Sequence, residues 1–273
     1  MKKQMKVLVL TLIVLMGVGL TSCIKSDGNT TMTGYSVVKV HSTFGVVYFE
    51  DASGFKYYPT ATSLAQVEAN PLNFKTSSTN LAYIGYQYDT ETQQVTESTT
   101  KLNVELIYAA SLDAKLEIVN ERGAENDSIA KAPIITLKGT ANGYYNYEPV
   151  MFDSNTLLLS VNYFMNINKP LHYFTLVYYP NEEPVPDAPV LDGEGNTVTL
   201  YLRHNNGDDT SNSTTSLGYV QYLPSVFYKA FDLSSLRLSP NTKLIINAVE
   251  SSSSLKLEDG EEKQYEVAAK AEK

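Results

Sequence analysis

The sequence predicts an all-β protein, a small β-barrel followed by an antiparallel β-sandwich, and three observations carry that prediction. Apolar, β-branched and aromatic residues recur with period two from Tyr35 onward, the mark of strands with one buried face. The chain holds 20 Tyr and 9 Phe but no Trp, a composition that suits pleated surfaces. A polar, charged stretch at Asn120–Ser128 interrupts the alternation and divides the strands into two sets.

The barrel strands come first. Tyr35–His41, Phe44–Glu50 and Phe55–Tyr58 are three runs, and Asp51-Ala52-Ser53-Gly54 is a hairpin turn in which Gly54 supplies positive φ. Pro59 stops pairing, and Thr62–Asn70 reads as a short helix ended by Asn70-Pro71. Leu81–Tyr88 and Lys101–Tyr108 follow, joined by the polar stretch Asp89–Thr100. Five strands with an excursion after the third fit a closed barrel of the OB kind, here over residues 35–116.

Residues 117–130 read as a linker, and strands resume over 131–270. The runs are Ile134–Lys138, Tyr144–Tyr147, Leu157–Ile167, Leu171–Tyr179, Thr197–His204, Gly218–Leu223, Leu233–Leu238, Leu244–Val249 and Gln264–Ala268. Short strands with turn-rich breaks fit a sandwich. Pro180–Pro189 contains four prolines, which no central strand accepts, so it is an extended loop. Asn205–Ser213 is a second, polar loop.

The N-terminus reads as an address. Lys2, Lys3 and Lys6 precede the apolar run Val7–Leu20, which is shorter than the ~20 residues of a membrane span and suits a signal-peptide core. Leu20-Thr21-Ser22-Cys23 then resembles a bacterial lipobox, which implies cleavage after residue 22 and lipid on Cys23. The plainer alternative, a chance Cys in a secreted protein, is disfavoured because the Cys stands in register with the end of the apolar run. Several acyl chains anchor where one binds only marginally. The expected location is therefore the cell envelope, lipid-anchored at the outer membrane, with residues 23–34 as a tether. A single acidic residue, Asp27, leaves inward- and outward-facing placement open.

Removing residues 1–22, with their three lysines, leaves 251 residues carrying 18 basic and 30 acidic side chains, a charge of −12. Phosphate binding needs clustered Lys and Arg, so nucleic acid is excluded as the main partner. Residues 35–108 contain only Lys39, Lys56, Lys75 and Lys101 as cations, so the barrel itself gives no footing to a single strand. With 43% hydrophobic and 19% charged residues, disorder is excluded as well.

Tyr48–Phe55, Lys101–Tyr108, Glu125–Ile129, Lys169–Val177, Val198–Asn205 with Gly207–Asp209, and Phe231–Leu236 carry a family resemblance. Together with the lipobox and tether, they are similar to the NigD-like lipoproteins of Gram-negative envelopes. The resemblance covers nearly the whole mature chain. It implies an N-terminal OB-like domain, a C-terminal β-sandwich and a bacteriocin-associated or immunity-like role. The connections at 89–100 and 180–197 are long for that pattern.

Candidate chemistry is sparse. No nucleophile elbow, H-E-x-x-H, phosphate loop or dinucleotide fingerprint occurs, and no cofactor is expected. Arg203, His204, Asp208 and Asp209 form the densest ionisable group, a small polar binding site or a general base on the functional reading. The plainer and favoured reading is a strand-end Arg and His satisfied by the next loop's carboxylates. His172 reads as a packed or edge histidine, and His41 has no acidic neighbour in sequence. Asp192, Glu194 and Asn196 alternate with glycines as in a calcium loop, but the later bidentate Glu is missing and a flexible acidic turn is favoured. Asp127-Ser128-Ile129 resembles a bacterial O-glycosylation acceptor, with Ser128 as the modified residue.

Tyr57-Tyr58, Tyr144-Tyr145 with Tyr147, and Tyr178-Tyr179 invite a sugar-binding reading. Adjacent residues in a strand face opposite ways, so structural tyrosines are favoured. The expectation is a binding or interaction module, not an enzyme, held to the membrane by its lipid and engaging another envelope protein or an extracellular ligand. The alternative is a surface glycan-binding accessory protein of a polysaccharide uptake system, which requires an exposed row of two or three tyrosines with polar neighbours. A hydrolase is the least favoured reading and requires a nucleophile or carboxylate pair converging in a cleft.

Overall fold

The computed structural model describes residues 30–69, 74–120, 122, 129–141, 145–166, 172–180, 197–207, 209, 219–222 and 228–271. The chain divides into two units at Asp113/Ala114. The first contains β1 (Thr31–Thr43), β2 (Val46–Asp51), β3 (Lys56–Pro59), α1 (Ala61–Ala69), β4 (Leu81–Asp89) and β5 (Lys101–Ser111). Its strands close a barrel in the order β1-β2-β3-β5-β4, with α1 between β3 and β4, which is the OB arrangement the sequence predicts.

Alternation builds the barrel. Val38 of β1, Phe49 of β2, Tyr57 of β3, Ile84 of β4 and Leu102, Val104 and Leu106 of β5 all point inward, while their neighbours face out. The helix α1 opens at Thr60, whose Oγ1 accepts the Ser63 N–H at 3.3 Å, and it adds Val67 to the same core.

Three boundaries differ from the sequence reading. The tether expected over 23–34 gives way to strand at Thr31, because β1 pairs with the full length of β4, from Thr31↔Asp89 to Lys39↔Leu81. Gly34 belongs to that strand, and a Cβ there would lie 2.5 Å from the Tyr86 ring. Phe44, expected to open the second strand, instead sits with Gly45 in the β1–β2 turn, at φ 50° and 81°. Both being positive is what a tight two-residue hairpin demands. The barrel's expected end at residue 116 moves back as well. Asp113–Ile118 is β6, a strand of the second unit's sheet, so the linker expected from 117 begins inside a strand.

The second unit continues with β7 (Gly139–Ala141), β8 (Tyr145–Tyr147), β9 (Val150–Met151), β10 (Thr156–Ser160), β11 (Tyr163–Asn166), β12 (Tyr173–Tyr178), β13 (Thr197–Asn205), β14 (Tyr219–Tyr222), β15 (Tyr228–Asp232), β16 (Lys243–Glu250) and β17 (Glu261–Ala268). One eight-stranded sheet runs β17-β16-β13-β12-β6-β15-β10-β9, and β11–β14 and β7–β8 form two small ribbons. The all-β expectation holds. The expected purely antiparallel pairing does not, since β12 pairs with β6 and β13 with β16 in parallel. Period two marks a strand's faces but not its direction, and parallel neighbours are joined only through long crossovers. The run Leu233–Leu238 is likewise not a strand: Ser234–Leu236 is a 3₁₀ turn, and the strand β15 lies just before it.

The main core covers one face of this sheet with Leu157, Leu159, Leu176, Leu200, Phe231, Leu244 and Ile246. Val177, Tyr179 and Tyr201 form a smaller cluster with Val119 and Ile129.

The β2–β3 hairpin is locked by one carboxylate. Asp51 Oδ1 accepts the Ser53 N–H at 2.9 Å, the Ser53 hydroxyl at 2.5 Å and the Phe55 N–H at 3.1 Å, while Oδ2 accepts the buried Tyr57 hydroxyl at 3.2 Å. Removing it strands several donors at once. Asp51→Ala is expected to destabilise the barrel by about 2–4 kcal/mol, with Asp51→Asn losing less, as read by urea unfolding.

Candidate functional site

The polar group singled out around His204 is rearranged by the sheet. Consecutive residues of β13 face opposite ways, so Arg203 and His204 part company. Arg203 turns to the face of Tyr201, its guanidinium 5.2 Å from that ring, and Arg122 lies 4.4 Å from the same ring. His204 turns into the main core, 4% exposed, stacked on Phe174 at 4.7 Å and 8°.

There it joins a string of polar groups. His204 Nδ1 lies 3.0 Å from the Pro133 carbonyl, and His204 Nε2 lies 2.8 Å from His172 Nδ1. A carbonyl can only accept, so His204 Nδ1 carries the proton and donates it. The other nitrogen of a neutral ring then accepts, which makes His172 Nδ1 a donor. His172 Nε2, unprotonated in this tautomer, lies 3.9 Å from Asp209 Oδ2, beyond hydrogen-bond reach, with both side chains enclosed at 2% and 0% exposure. Tyr163 packs against both imidazoles. Burial, reinforced by His172, lowers the His204 pKa to about 3. Burial also lowers that of His172, and the Asp209 carboxylate opposes the shift.

Asp209 thus meets His172 rather than His204, and Asp208 lies outside the described residues. Cys23, Ser128, Asp192, Glu194 and Asn196 lie outside them too. The pairing of His172 with His204 spans 32 positions. The sequence shows only that His172 precedes Phe174 by two and so shares its face; that Phe174 is the register partner of His204 is set by the folded sheet. Among the described residues, no group of three or more His, Cys, Asp or Glu is placed to hold a metal ion.

The barrel exterior carries two aromatic sets. On β1, β2 and β3, His41 stacks on Tyr48 at 4.5 Å and 6°, Tyr48 on Tyr58 at 5.6 Å, and Lys56 Nζ lies 5.2 Å from the Tyr48 centroid. His41, without an acidic neighbour in sequence, finds Glu50 across the strands at 3.6 Å. The rings of this set cover one another.

On β1, β4 and β5 the second set is open at Tyr35, while Tyr83 and Tyr108 are half-buried. Tyr35, 48% exposed, lies nearly parallel to Tyr83 at 6.0 Å and 11°, and Tyr108 meets Tyr83 edge-on at 6.3 Å. The register Tyr35↔Gly85↔Tyr108 sets the centre of the patch. Gly85 is required: a Cβ would come within 2.8 Å of Tyr35 Cε1 and 3.2 Å of Ile107 Cγ1. None of these tyrosines belongs to the pairs chosen from sequence. Of those pairs, Tyr57 and Tyr179 are buried, Tyr58, Tyr147 and Tyr178 are half-buried, and Tyr144 lies outside the described residues.

No family model and no curated protein matches the sequence. Among solved structures, a candidate lipoprotein of Bacteroides fragilis is similar over 88% of this chain and 100% of its own, with a TM-score of 0.62 and 24% identity. The fold is shared. A NigD-like immunity protein of Bacteroides caccae aligns over 85% of this chain and 90% of its own, at a TM-score of 0.45 and 12% identity. A toxin-related protein of Parabacteroides distasonis aligns over 85% and 93%, at 0.44 and 18%.

The histidine string makes stability depend on pH. His204 is held neutral down to about pH 3 when folded but takes up a proton near 6.5 when unfolded. The unfolded chain therefore binds more protons between those values, and stability falls as pH drops through that window. Urea titrations from pH 7 to 4 should show a slope shallower in His204→Gln than in wild type, by up to ~1.4 kcal/mol per pH unit.

Proposed function

We propose that this chain is a lipid-anchored binding module of the cell envelope, held at the outer membrane through Cys23 and acting by recognition rather than catalysis. The observation that carries the binding role is the open tyrosine face of the barrel, with Tyr35 and Ile107 each nearly half exposed at 48% and 47%. An exposed aromatic and an exposed aliphatic side chain side by side on a sheet, backed by the half-buried Tyr83 and Tyr108, form an amphipathic recognition surface. The barrel is closed, so within the first unit no strand edge competes with that face. The His172–His204–Asp209 string is enclosed, out of a substrate's reach, which favours a role in packing over one in hydrolysis.

The anchor reading rests on Lys2, Lys3 and Lys6, the apolar run 7–20 and Leu20-Thr21-Ser22-Cys23. The immunity-like role implied by the resemblance to NigD-like lipoproteins is the case in which the bound partner is another envelope protein.

Metabolic labelling with radioactive palmitate checks the anchor. Wild-type protein is expected to take up label and sediment with membranes, and Cys23→Ala to do neither; an unlabelled wild type would end this reading.

A further inference from the structure

We infer that the outer face of β1, β4 and β5 is a platform for a neutral glycan, an inference that rests on the binding-module reading above. The geometry of the rings is the first reason. Carbon atoms in contact lie about 3.5–4.0 Å apart. With centroids 6.0 Å apart, the near-parallel Tyr35 and Tyr83 rings are not in close face-to-face contact. Tyr35 rests on Gly85, where the missing side chain lets the ring sink against the backbone, and the rest of the ring stays in solvent. Tyr35 can take the apolar C–H face of one sugar ring, with the half-buried Tyr83 and the exposed Ile107 beside it to meet a neighbouring ring.

The contrast with the other aromatic set sharpens this. The β2–β3 side of an OB barrel is its usual ligand face. Here His41 and Tyr48 stack at 4.5 Å and Lys56 lies over Tyr48, so those rings are spent on each other.

Polar groups stand beside these side chains. One step along the strands, Thr33, Gln87 and Glu105 form a row, with Thr33↔Gln87↔Glu105 in register. Gln87 Nε2 donates to Glu105 Oε2 at 3.1 Å on the exposed surface. An amide, a carboxylate and a hydroxyl supply both donors and acceptors for sugar hydroxyls. A β-bulge at Ile107, the extra residue between the Gly85↔Tyr108 and Tyr86↔Leu106 pairs, turns both Ile107 and Tyr108 to this side.

Charge selects among glycans. The mature chain carries −12, and Glu105 lies on the face itself. Uronic or sialic acids would be repelled, so the class is neutral.

The test is affinity electrophoresis of the full mature protein in detergent, through gels holding laminarin, xylan, mannan, dextran or the acidic polygalacturonate. At least one neutral polysaccharide should retard the wild type, and polygalacturonate should not. Tyr35→Ala and Tyr83→Ala should weaken binding about tenfold or more, while Tyr48→Ala leaves it unchanged. Gln87→Ala, which removes the amide beside the tyrosines and leaves the rings in place, should also weaken binding. Failure of every neutral polysaccharide, wild-type binding by both Tyr35→Ala and Gln87→Ala, or preference for polygalacturonate would overturn the inference. So would concentration-dependent dimerisation abolished by Tyr35→Ala in a chain that binds no glycan, which would assign the face to a second copy. The anchor is judged separately, because Cys23→Ala changes palmitate labelling and should leave retardation unaltered.

Discussion

The continuity of β1 is the constraint on which the first unit depends. Its thirteen residues pair with β4 through Thr31–Lys39 and with β2 through Val38–Thr43. One strand serving two neighbours closes the barrel and satisfies backbone groups that would otherwise face water or another chain. Closure also fixes side-chain destinations. Because pleating alternates, the register that sends Ser36 and Val38 inward sends Tyr35 and His41 outward, and a slip of one residue would exchange them. The open tyrosine face is thus a by-product of the same ladder that builds the core.

Glycine makes that ladder workable at two places. At Gly34 the Tyr86 ring occupies the space a side chain would take, and at Gly85 Tyr35 and Ile107 do so. Aromatic residues across from glycine recover apolar contact that glycine cannot make.

The second unit solves a different problem, placing two imidazoles and a carboxylate among apolar side chains. The cost of burying the two imidazoles is met by His172 Nδ1 donating to His204 Nε2 and His204 Nδ1 donating to the Pro133 carbonyl, which sets the tautomer of each ring. Phe174 and Tyr163 then hold the rings by contact.

Much of this was legible in residues. The alternation in Lys101–Tyr108 announced β5 and Asp51–Gly54 the β2–β3 hairpin, because these are local consequences of period two and turn chemistry, whereas the polar break near 120 lies inside the second unit, which begins at Ala114. The acidic charge and the place of Cys23 at the end of an apolar run are likewise read from the sequence alone. What no local pattern contains is which strands become neighbours. That decided the parallel pairs β6–β12 and β13–β16, brought His172 to His204, and gathered Tyr35, Tyr83 and Tyr108 from three separate strands. The physical reason is that period two specifies a face, whereas partnership depends on register and crossover across long separations, which only the folded chain sets.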